Sequence, residues 1–311
     1  MNRKIMIDCD PGQDDAMALM LAASSISNLR IEAITTVAGN VDVDKNTRNA
    51  LRLCDLLELK DVPVAKGASR PLVREMLIAA DIHGKSGLDG TAMPEQPVKQ
   101  TVRVHGADLI IEKLLASEEA ITLVPTGPLT NIAMAIRKEP GIIPKIREIV
   151  LMGGGTYGNR TPAAEFNIFA DAEAAKIVFE SGAPIAMFGL DVTHQARANA
   201  ETIEEIRAIG NPVATAVSDM LTFYLNAYQG LLGRTSAAIH DPCPVAYLID
   251  PSIFQLEPVH VDVETKGEFT YGMTCVHKGV ASDHVNAKFA GKLDPKKFWD
   301  LFYRALTTYS S

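Results

Sequence analysis

Two hydrophobic patterns alternate along this chain, and their alternation limits the folds that it can adopt. Short runs rich in β-branched residues recur at residues 4–7, 31–37, 121–124, 148–152 and 184–188. Between these runs, apolar side chains repeat at helical spacing within residues 50–57, 107–114 and 172–179. Strands that alternate with helices pair in parallel, because each helix crosses over the sheet and returns the chain to the same edge. The sequence therefore predicts an α/β fold with an open, Rossmann-like, mostly parallel central sheet and helices on both faces.

The rest of the chain extends this pattern. Residues 201–232 are mainly helical in pattern with an interruption at Asn211-Pro212, and residues 259–263 and 270–276 alternate like two late strands. Residues 294–309 open with Asp-Pro and place apolar residues at helical spacing, which predicts a closing helix. Because no repeat, low-complexity tract or linker interrupts the sequence, we expect residues 1–311 to form a single domain.

Charge and hydropathy exclude several kinds of partner. The 311 residues include 30 Lys and Arg against 38 Asp and Glu, a formal net charge of −8, without a basic patch. Nucleic acid and anionic membrane surfaces are therefore not expected as partners. No run approaches the roughly 18–20 apolar residues of a membrane span, and the first residues lack the apolar segment of a signal peptide. Cys9, Cys54, Cys243 and Cys275 have neither zinc-motif nor disulfide-framework spacing. We expect a cytoplasmic enzyme.

Residues 67–102 form an unusually long connection between predicted elements. Loops beyond about 12–15 residues are commonly functional or disordered. This one contains apolar residues and a glycine-rich tip, residues 82–90. The composition favours a segment that packs against the domain and can move, as a flap over a site would.

The strongest local signal is a cluster of carboxylates directly after the first predicted strand. Asp8, Asp10, Asp14 and Asp15 fall within eight residues. Asp14 or Asp15 could cap the following helix, since carboxylates stabilise a helix N-terminus. Capping does not explain Asp8 and Asp10 at a strand end, where clustered carboxylates need a cation or a shared proton. Local capping and a metal site both remain open on this motif alone.

Other predicted strands also end in polar or glycine-rich segments. Ligands of parallel α/β sheets bind at the carboxyl ends of the strands, so these segments are expected to converge. They are Gly39-Asn40, Pro125-Thr126-Gly127-Pro128, Gly153-Gly154-Gly155 and Asp191. No dinucleotide or P-loop glycine motif is present. Oxygen ligands without a Cys/His cluster favour Ca²⁺ or Mg²⁺ over zinc.

Taken together, these segments resemble the inosine-uridine nucleoside hydrolase family, which cleaves the N-glycosidic bond of ribonucleosides. The similarity follows the same order along nearly the whole chain, and the ordered set is highly specific. It comprises Asp8-x-Asp10-Pro11-Gly12-x-Asp14-Asp15, Ala38-Gly39-Asn40, His83-Gly84-x-x-Gly87-Leu88-Asp89-Gly90, Thr126-Gly127-Pro128-x-Thr130-Asn131, Met152-Gly153-Gly154, Asn159-x-Thr161-Pro162-x-Ala164-Glu165-Phe166-Asn167, Gly189-Leu190-Asp191-Val192-Thr193 and His240-Asp241.

The resemblance implies roles for individual residues. One Ca²⁺ would be held by Asp10, Asp15, the backbone carbonyl of Thr126 and Asp241, with the ribose diol and a water completing its shell. Asp10 would act as the general base. Hydrogen bonds to the ribose hydroxyls are implied for Asp14, Asn40, Asn159, Glu165 and Asn167. His240 would serve the leaving base as its acid, and His83, on the glycine-rich loop, would close over the base.

The histidine pair and the segment 189–194 resemble the pyrimidine-preferring bacterial branch, which makes uridine and cytidine the expected substrates. This branch takes base contacts from the segment corresponding to residues 224–236. A count back from His240 places Leu232 near a family tyrosine, so Tyr228, Gln229 or Arg234 would substitute. Trp299 lies in the predicted last helix, which argues against tryptophan stacking on a purine.

Three other functions are weighed against this one. A purine-preferring or broad-specificity hydrolase would keep the same ribose site. A non-catalytic protein that binds Ca²⁺ and a ribonucleoside is expected to lack Asp10 or His240, and both are present. A haloacid-dehalogenase-like phosphohydrolase would also place Asp8-x-Asp10 after a strand, but Asp14 and Asp15 would repel a phosphate. The resemblance further implies a homo-oligomer, tetramer or dimer, acting on a small molecule.

Overall fold

A nine-stranded sheet forms the centre of the molecule. The computed structural model describes residues 2–279 and 281–310, with side chains for all of these except residues 80, 81, 232 and 282. The sheet contains β1 (Arg3–Cys9), β2 (Leu29–Thr36), β3 (Val64–Lys66), β4 (Ile121–Pro125), β5 (Ile146–Met152), β6 (Ile185–Phe188), β9 (Phe254–Val263), β10 (Thr274–Lys278) and β11 (Ala287–Leu293). A separate ribbon pairs β7 (Arg197–Ala198) with β8 (Ala237–Ala238).

The strand order is β10-β9-β11-β6-β5-β4-β1-β2-β3. Every pair from β11 to β3 is parallel, whereas β9 runs antiparallel to both β10 and β11. The predicted mostly parallel α/β sheet is therefore confirmed. All five predicted parallel strands are present, but the second late strand begins at Thr274 rather than at residue 270, because residues 270–272 form a turn. Strands β3 and β11 and the short β7–β8 ribbon were not predicted from the sequence.

The helices of the described chain lie between and after these strands. They are α1 (Gln13–Ala23), α2 (Val43–Leu56), α3 (Ala80–His83), α4 (Gly106–Ala116), α5 (Thr130–Lys138), α6 (Phe166–Ala170), α7 (Ala172–Phe179), α8 (Leu190–Thr193), α9 (Ala200–Arg207), α10 (Pro212–Leu232), α11 (Pro242–Ile249) and α12 (Pro295–Leu306). Short 3₁₀ turns occupy Pro140–Lys145, Pro251–Ile253 and Ser282–His284. None of the helices within the described residues combines the length and hydrophobicity needed to cross a bilayer.

Apolar side chains cover both faces of the sheet, as the near-continuous hydrophobic strands predict. On β1, Ile5 and Ile7 join one core cluster, which also contains buried residues of α1, α2, α10, α11 and α12. Met6 points to the other face and joins a cluster with residues of α4, α5 and α7. The strands are thus fixed from both sides, and their carboxyl ends provide a rigid edge for polar side chains.

The predicted helix break at Asn211-Pro212 is confirmed and has a local cause. Asn211 is the N-cap of α10, and its side-chain oxygen accepts a hydrogen bond from the backbone N–H of Ala214 at 2.8 Å. Pro212 occupies the first turn, where its missing N–H costs no helical hydrogen bond. Helix α10 therefore starts anew after α9 and runs along the site described below.

The long connection between β3 and α4 contains one helical turn, α3, and is otherwise irregular. It is anchored from within, because Leu88 is buried and Arg52 of α2 donates hydrogen bonds to the carbonyls of Pro94 at 2.7 Å and Met93 at 2.8 Å. The prediction that this loop packs against the domain is confirmed. Its motion as a flap stays a prediction.

Candidate active site

Asp10 lies directly beyond β1 and is fixed by the segment that follows β2. The backbone N–H of Asn40 donates to Asp10 Oδ2 at 2.7 Å, and the Asn40 side chain donates to the Asp10 carbonyl at 2.9 Å. Gly39 and Gly127 flank the carboxylate on two sides, and a Cβ at either position would overlap its oxygen atoms. The two glycines are therefore required for close approach, rather than only for a turn.

Three further carboxylates, Asp14, Asp15 and Asp241, converge beside Asp10. One oxygen from each lies within 4.8 Å of the other two, and this group could hold a metal ion. Asp15 accepts hydrogen bonds from the Gly12 N–H at 3.0 Å and from Thr126 Oγ1 at 2.7 Å. The helix N-terminus of α1 thus contributes to holding Asp15, which both caps the helix and belongs to the carboxylate cluster.

Burial raises the pKa of every carboxyl group in this cluster. The pKa of Asp14 rises to about 7, mainly through desolvation and then through the charge of Asp15. The pKa values of Asp10 and Asp241 lie well above their usual range, mainly through burial and then through the charge of Asp15 for Asp10 and of Asp14 for Asp241. Asp14 Oδ1 is buried without a hydrogen-bond partner among the described residues. Buried carboxylates that lower one another's acidity, with an oxygen left unpaired, fit a divalent cation.

Thr126, Glu165 and Asn167 form the adjoining wall, with Thr126 directly after β4 and the other two at the start of α6. The Asn167 side chain donates to the Thr126 carbonyl at 2.7 Å and to the Met152 carbonyl at 3.2 Å. Glu165 caps α6 by accepting hydrogen bonds from the N–H groups of Asn167 and Ile168, and it also accepts one from Gly154 at 2.9 Å. Its pKa is raised to about 7 by burial.

His240 forms the opposite wall with aromatic residues of α10. Thr193 Oγ1 lies 2.8 Å from His240 Nδ1, and the Tyr228 hydroxyl lies 3.4 Å from Nε2. The hydroxyls of Tyr224 and Tyr228 are in turn 3.4 Å apart. Burial, assisted by the nearby His194, lowers the pKa of His240 to about 3, so the ring is neutral at pH 7. This wall offers neutral hydrogen-bonding groups rather than charge.

His83 reaches the same space from α3 and is held by Gln13. Gln13 Nε2 donates to the carbonyls of His83 and Asp89, at 3.2 Å and 3.1 Å. Its Oε1 atom, 2.9 Å from His83 Nδ1, is therefore an acceptor and fixes the proton on Nδ1. The His83 ring also lies 5.5 Å from the Tyr224 ring, and burial lowers its pKa to about 4.

These groups surround a cavity of about 360 Å³. Nearly all of the predicted site residues line it, namely Asp10, Asp14, Asn40, His83, Thr126, Asn159, Glu165, Asn167, Tyr228, His240 and Asp241. Asp15 lies behind the cavity lining, within the carboxylate cluster. Tyr224, Thr193 and Gln13 had no role predicted from the sequence, and a long-range contact defines the role of each.

Other residues highlighted by the sequence lie away from the cavity. Asp8 is buried and accepts hydrogen bonds from Thr35 Oγ1 and Asn131 Nδ2, at 2.6 Å and 2.8 Å. Asp191 accepts from Thr156, and Gln229 and Arg234 are exposed outside the lining. The side chain of Leu232 lies outside the described residues. Trp299 packs within α12, with its ring 5.6 Å from that of Phe302.

Acidic oxygen ligands beside a polar cavity, at the carboxyl ends of parallel strands, are typical of an enzyme that binds a metal and a small polar substrate. The sequence profile of the inosine-uridine preferring nucleoside hydrolases matches residues 5–300. The chain therefore belongs to the inosine-uridine preferring nucleoside hydrolase family. This confirms the resemblance predicted from the ordered motifs and, with it, the assignment to the ribonucleoside hydrolases.

Individual relatives agree with this assignment. A pyrimidine-specific ribonucleoside hydrolase of Shewanella woodyi is 47% identical over 313 residues, covering 100% of both chains. One of Salmonella schwarzengrund is 46% identical and covers 98% of this chain and 99% of its own. Among solved structures, a purine-preferring ribonucleoside hydrolase from Gardnerella vaginalis superposes with a TM-score of 0.91 at 32% identity, covering 98% of each chain. A plant nucleoside hydrolase has a TM-score of 0.91 at 31% identity over 99% of both chains.

Proposed function

We propose that this protein hydrolyses the N-glycosidic bond of pyrimidine ribonucleosides, uridine and cytidine first, and releases ribose and the free base. The observation that carries the proposal is the arrangement of the cavity, with buried carboxylates on one wall and neutral His240 on the other. Positive charge develops on the sugar during such a cleavage, as in glycoside hydrolysis, and carboxylates stabilise it. The pyrimidine preference is supported by the relatives of 47% and 46% identity that bear this specificity in their names.

For the metal we propose Ca²⁺, held by Asp10, Asp15, the Thr126 carbonyl and Asp241. The donors are all oxygen, which a hard cation prefers, and a backbone carbonyl suits calcium. Bound there, Ca²⁺ would orient a vicinal diol and make a water molecule more acidic. In the present geometry the gathered oxygen atoms belong to Asp14, Asp15 and Asp241. Asp10 is close enough for its charge to raise the pKa of Asp241.

Asp10 is the proposed general base. Its carboxylate lines the cavity, and the Asn40 N–H fixes one of its oxygens at 2.7 Å, which leaves the other to accept a proton from the attacking water. The surrounding residues would bind the ribose hydroxyls by hydrogen bonds, and they share exposure to the same cavity. They are Asp14, Asn40, Asn159, Glu165 and Asn167.

The leaving base would be served by His240. Since burial keeps the ring neutral, His240 acts by donating a hydrogen bond from its ring N–H to the leaving base, rather than as a stored cation. Thr193 and Tyr228 contact its two nitrogens and would orient it toward the base. We propose that Tyr228 and His83 contact the base from α10 and α3.

The deciding experiment compares ribose release from uridine, cytidine, inosine and adenosine under matched conditions, before and after prolonged chelation. Turnover of uridine and cytidine that chelation removes and added Ca²⁺ restores supports both the activity and the cation. Faster turnover of inosine keeps the hydrolase but rejects the pyrimidine preference. An absence of ribose from all four nucleosides rejects hydrolysis and favours a binding protein.

One substitution and one altered substrate test the general base and the ribose site in the same assay. Asp10→Asn should lower kcat by about 10²–10⁴-fold, the usual contribution of a general base. 2′-Deoxyuridine should be a poor substrate because it lacks one hydroxyl of the diol. Comparable kcat/KM values for uridine and 2′-deoxyuridine would contradict the proposed ribose site.

We also propose that residues 1–311 form one domain, that the protein is cytoplasmic, and that it assembles as a tetramer or dimer. Several large apolar side chains are exposed on the surface and would be available for self-association. They include Val73 at 69% exposure, Val98 at 88% and Phe269 at 83%. Sedimentation of the purified protein at several concentrations tests the assembly, and a monomer throughout would reject it.

A further inference from the structure

The outer face of the β9–β10 hairpin carries four side chains with metal-binding groups. In the antiparallel register, His260 lies directly opposite His277, and Asp262 lies directly opposite Cys275. Residues two apart on a strand share a face, and directly opposed residues share it too. The four residues therefore form a two-by-two array. The intervening Val261 is buried on the core side of the sheet.

Asp262 already connects the two histidines. One of its oxygens lies 3.2 Å from His260 Nε2 and the other lies 3.3 Å from His277 Nε2. The two imidazole rings are 5.8 Å apart, centre to centre. Both side-chain nitrogens thus point toward one carboxylate.

The hydrogen bonding of His260 requires a positive charge between its ring and Asp262, supplied either by a second ring proton or by a bound metal ion. His260 Nδ1 lies 2.6 Å from the backbone carbonyl of His284, and a carbonyl can only accept, so Nδ1 carries the proton. In a neutral ring, Nε2 then presents a lone pair to the Asp262 carboxylate at 3.2 Å. Two acceptors facing each other repel unless a positive charge lies between them. An Nδ1–H bond to a backbone carbonyl is also a common way to orient a histidine that binds metal through Nε2.

We propose that His260, Asp262, Cys275 and His277 bind a transition-metal ion of the zinc type. Two imidazoles, a thiol and a carboxylate match the ligands of Zn²⁺ rather than those of Ca²⁺. Their ligand atoms are not yet within 4.8 Å of one another, so the site closes by rotation of the side chains. Exposure of the histidine and aspartate side chains, 33%, 58% and 52% for His260, Asp262 and His277, leaves room for this rotation.

The surroundings of the array add negative charge. Asp262 and Glu264 raise the pKa of the Cys275 thiol, after burial, so the three groups share one electrostatic neighbourhood. A shallow depression of about 600 Å³ adjoins the array, and its lining includes His260 and Asp262 together with charges of both signs, among them Glu180, Asp283, Lys176 and Lys288. The negative charges of Asp262 and Glu264 would partly compensate the positive charge of a bound cation. The cation would also cross-link β10, the outermost strand on this side of the sheet, to β9.

The array does not match a zinc motif in the sequence, because those motifs have two to five residues between paired ligands and here a single residue lies between them. Here two ligands come from each strand, and pairing across the hairpin brings them together. The hairpin lies apart from the residues that line the candidate active site, so the proposal goes beyond nucleoside hydrolysis and does not rest on it.

The test measures Zn²⁺ binding to the full-length protein saturated with Ca²⁺, by competition with a chromophoric zinc chelator. The wild type is expected to take one more Zn²⁺ per chain from the chelator than either His260→Ala or His277→Ala. The variants lose this ion because the affinity of the site for Zn²⁺ falls about 100-fold in each of them. His284→Ala is the matched control, because its exposed ring is removed while the carbonyl that orients His260 remains. Co²⁺ should give a thiolate-to-cobalt charge-transfer band in the wild type that Cys275→Ser abolishes.

Uridine hydrolysis by each variant reports whether the fold is intact, since none of these residues lines the catalytic cavity. Equal Zn²⁺ binding by the wild type and both histidine variants overturns the proposal and assigns the contact with Asp262 to a protonated His260. Lack of the charge-transfer band in the wild type overturns the four-ligand site.

Discussion

The Asp10 carboxylate can occupy its position because the two residues that flank it are glycines without side chains. Gly39 and Gly127 both approach the carboxylate so closely that one added methyl group would overlap it. Gly127→Ala should therefore displace the proposed base and lower kcat for uridine by about 10²-fold or more, as expected for loss of a positioned general base. Thermal stability should change far less, because the contact is with a side chain at the cavity. Steady-state kinetics and a melting curve measure the two effects.

Gly230→Ala provides the matched control for this substitution. Gly230 lies in α10 with open space around its Cα, so alanine meets nothing there. Alanine also favours helix over glycine by about 1 kcal/mol. This variant should keep full activity with equal or higher stability. Equal activity of Gly127→Ala and Gly230→Ala would show that the close approach has no catalytic purpose.

The proposed role of neutral His240 in assisting the leaving base can be tested with two substrates that differ in their leaving group. Removing the ring in His240→Ala should reduce turnover of uridine much more than that of p-nitrophenyl riboside, whose leaving group departs without a proton. General acid–base groups contribute about 10²–10⁴-fold, and a loss of that order is expected for uridine alone. The ratio of kcat/KM for the two substrates is the measurement. A parallel loss on both would assign His240 to sugar binding instead.

How far the sequence predicts a residue's role depends on where its partners lie. The functional importance of the carboxylates in residues 8–15 was predictable, because four of them within eight residues is an unusual density in itself. Gln13 and Thr193 gave no such signal, since their partners are 70 and 47 residues away and each side chain alone is ordinary. Asp191 and Asp8 illustrate the opposite error, because hydrogen bonds that the sequence does not reveal hold both outside the cavity.

At the scale of elements, the length and the regularity of the hydrophobic pattern decided which strands could be predicted. The five buried parallel strands were visible because each is a compact apolar run between helical patterns. Strand β3 has three residues, too few to show a period, and it exists because β2 provides its hydrogen bonds. The outer positions of β11 alternate less clearly, with a register shift between Ala290 and Lys292 that interrupts the period of two.

Helix α1 and the glycine-rich segment, residues 83–90, are joined through one glutamine. Gln13 is fully buried and makes three hydrogen bonds to that segment. In Gln13→Leu the two carbonyls and the His83 Nδ1–H lose their partner, at about 1–3 kcal/mol for each buried group left unsatisfied. We expect a KM for uridine raised by about 10-fold or more, with faster hydrogen exchange in residues 83–90.

An exposed glutamine in the same connection serves as the comparison. Gln100→Leu removes a side chain whose 3.4 Å hydrogen bond to the Val98 carbonyl is at the surface. Neither the KM nor the exchange of residues 83–90 should change in this variant. Unchanged exchange in Gln13→Leu as well would mean that packing of Leu88, rather than Gln13, orders the segment.

The molecule as a whole keeps several carboxyl groups buried near one another, and this couples its stability to protons and to the metal. Asp8, Asp14 and Glu165 have pKa values of about 7, and those of Asp10 and Asp241 lie well above their usual range. In the unfolded chain, carboxyl groups titrate near 4. The metal-free folded protein therefore binds more protons than the unfolded chain up to about pH 7 and beyond. Its stability must fall as the pH rises through that range.

Calcium should reverse this trend, since a cation replaces protons on the proposed ligands Asp10, Asp15 and Asp241. We expect the increase in Tm on adding Ca²⁺ to be larger at pH 8.5 than at pH 6.5. Each proton by which the folded and unfolded states differ changes the free energy of unfolding by about 1.4 kcal/mol per pH unit. His83 and His240, with pKa values of about 4 and 3, affect stability mainly below pH 6.5, where histidines of the unfolded chain gain protons that the folded protein does not. Melting curves with Ca²⁺ and with a chelator at both pH values measure the difference, and Asp241→Asn, which lacks one ligand, should reduce it. The same Tm increase at both pH values would show that the cluster does not exchange protons for the metal.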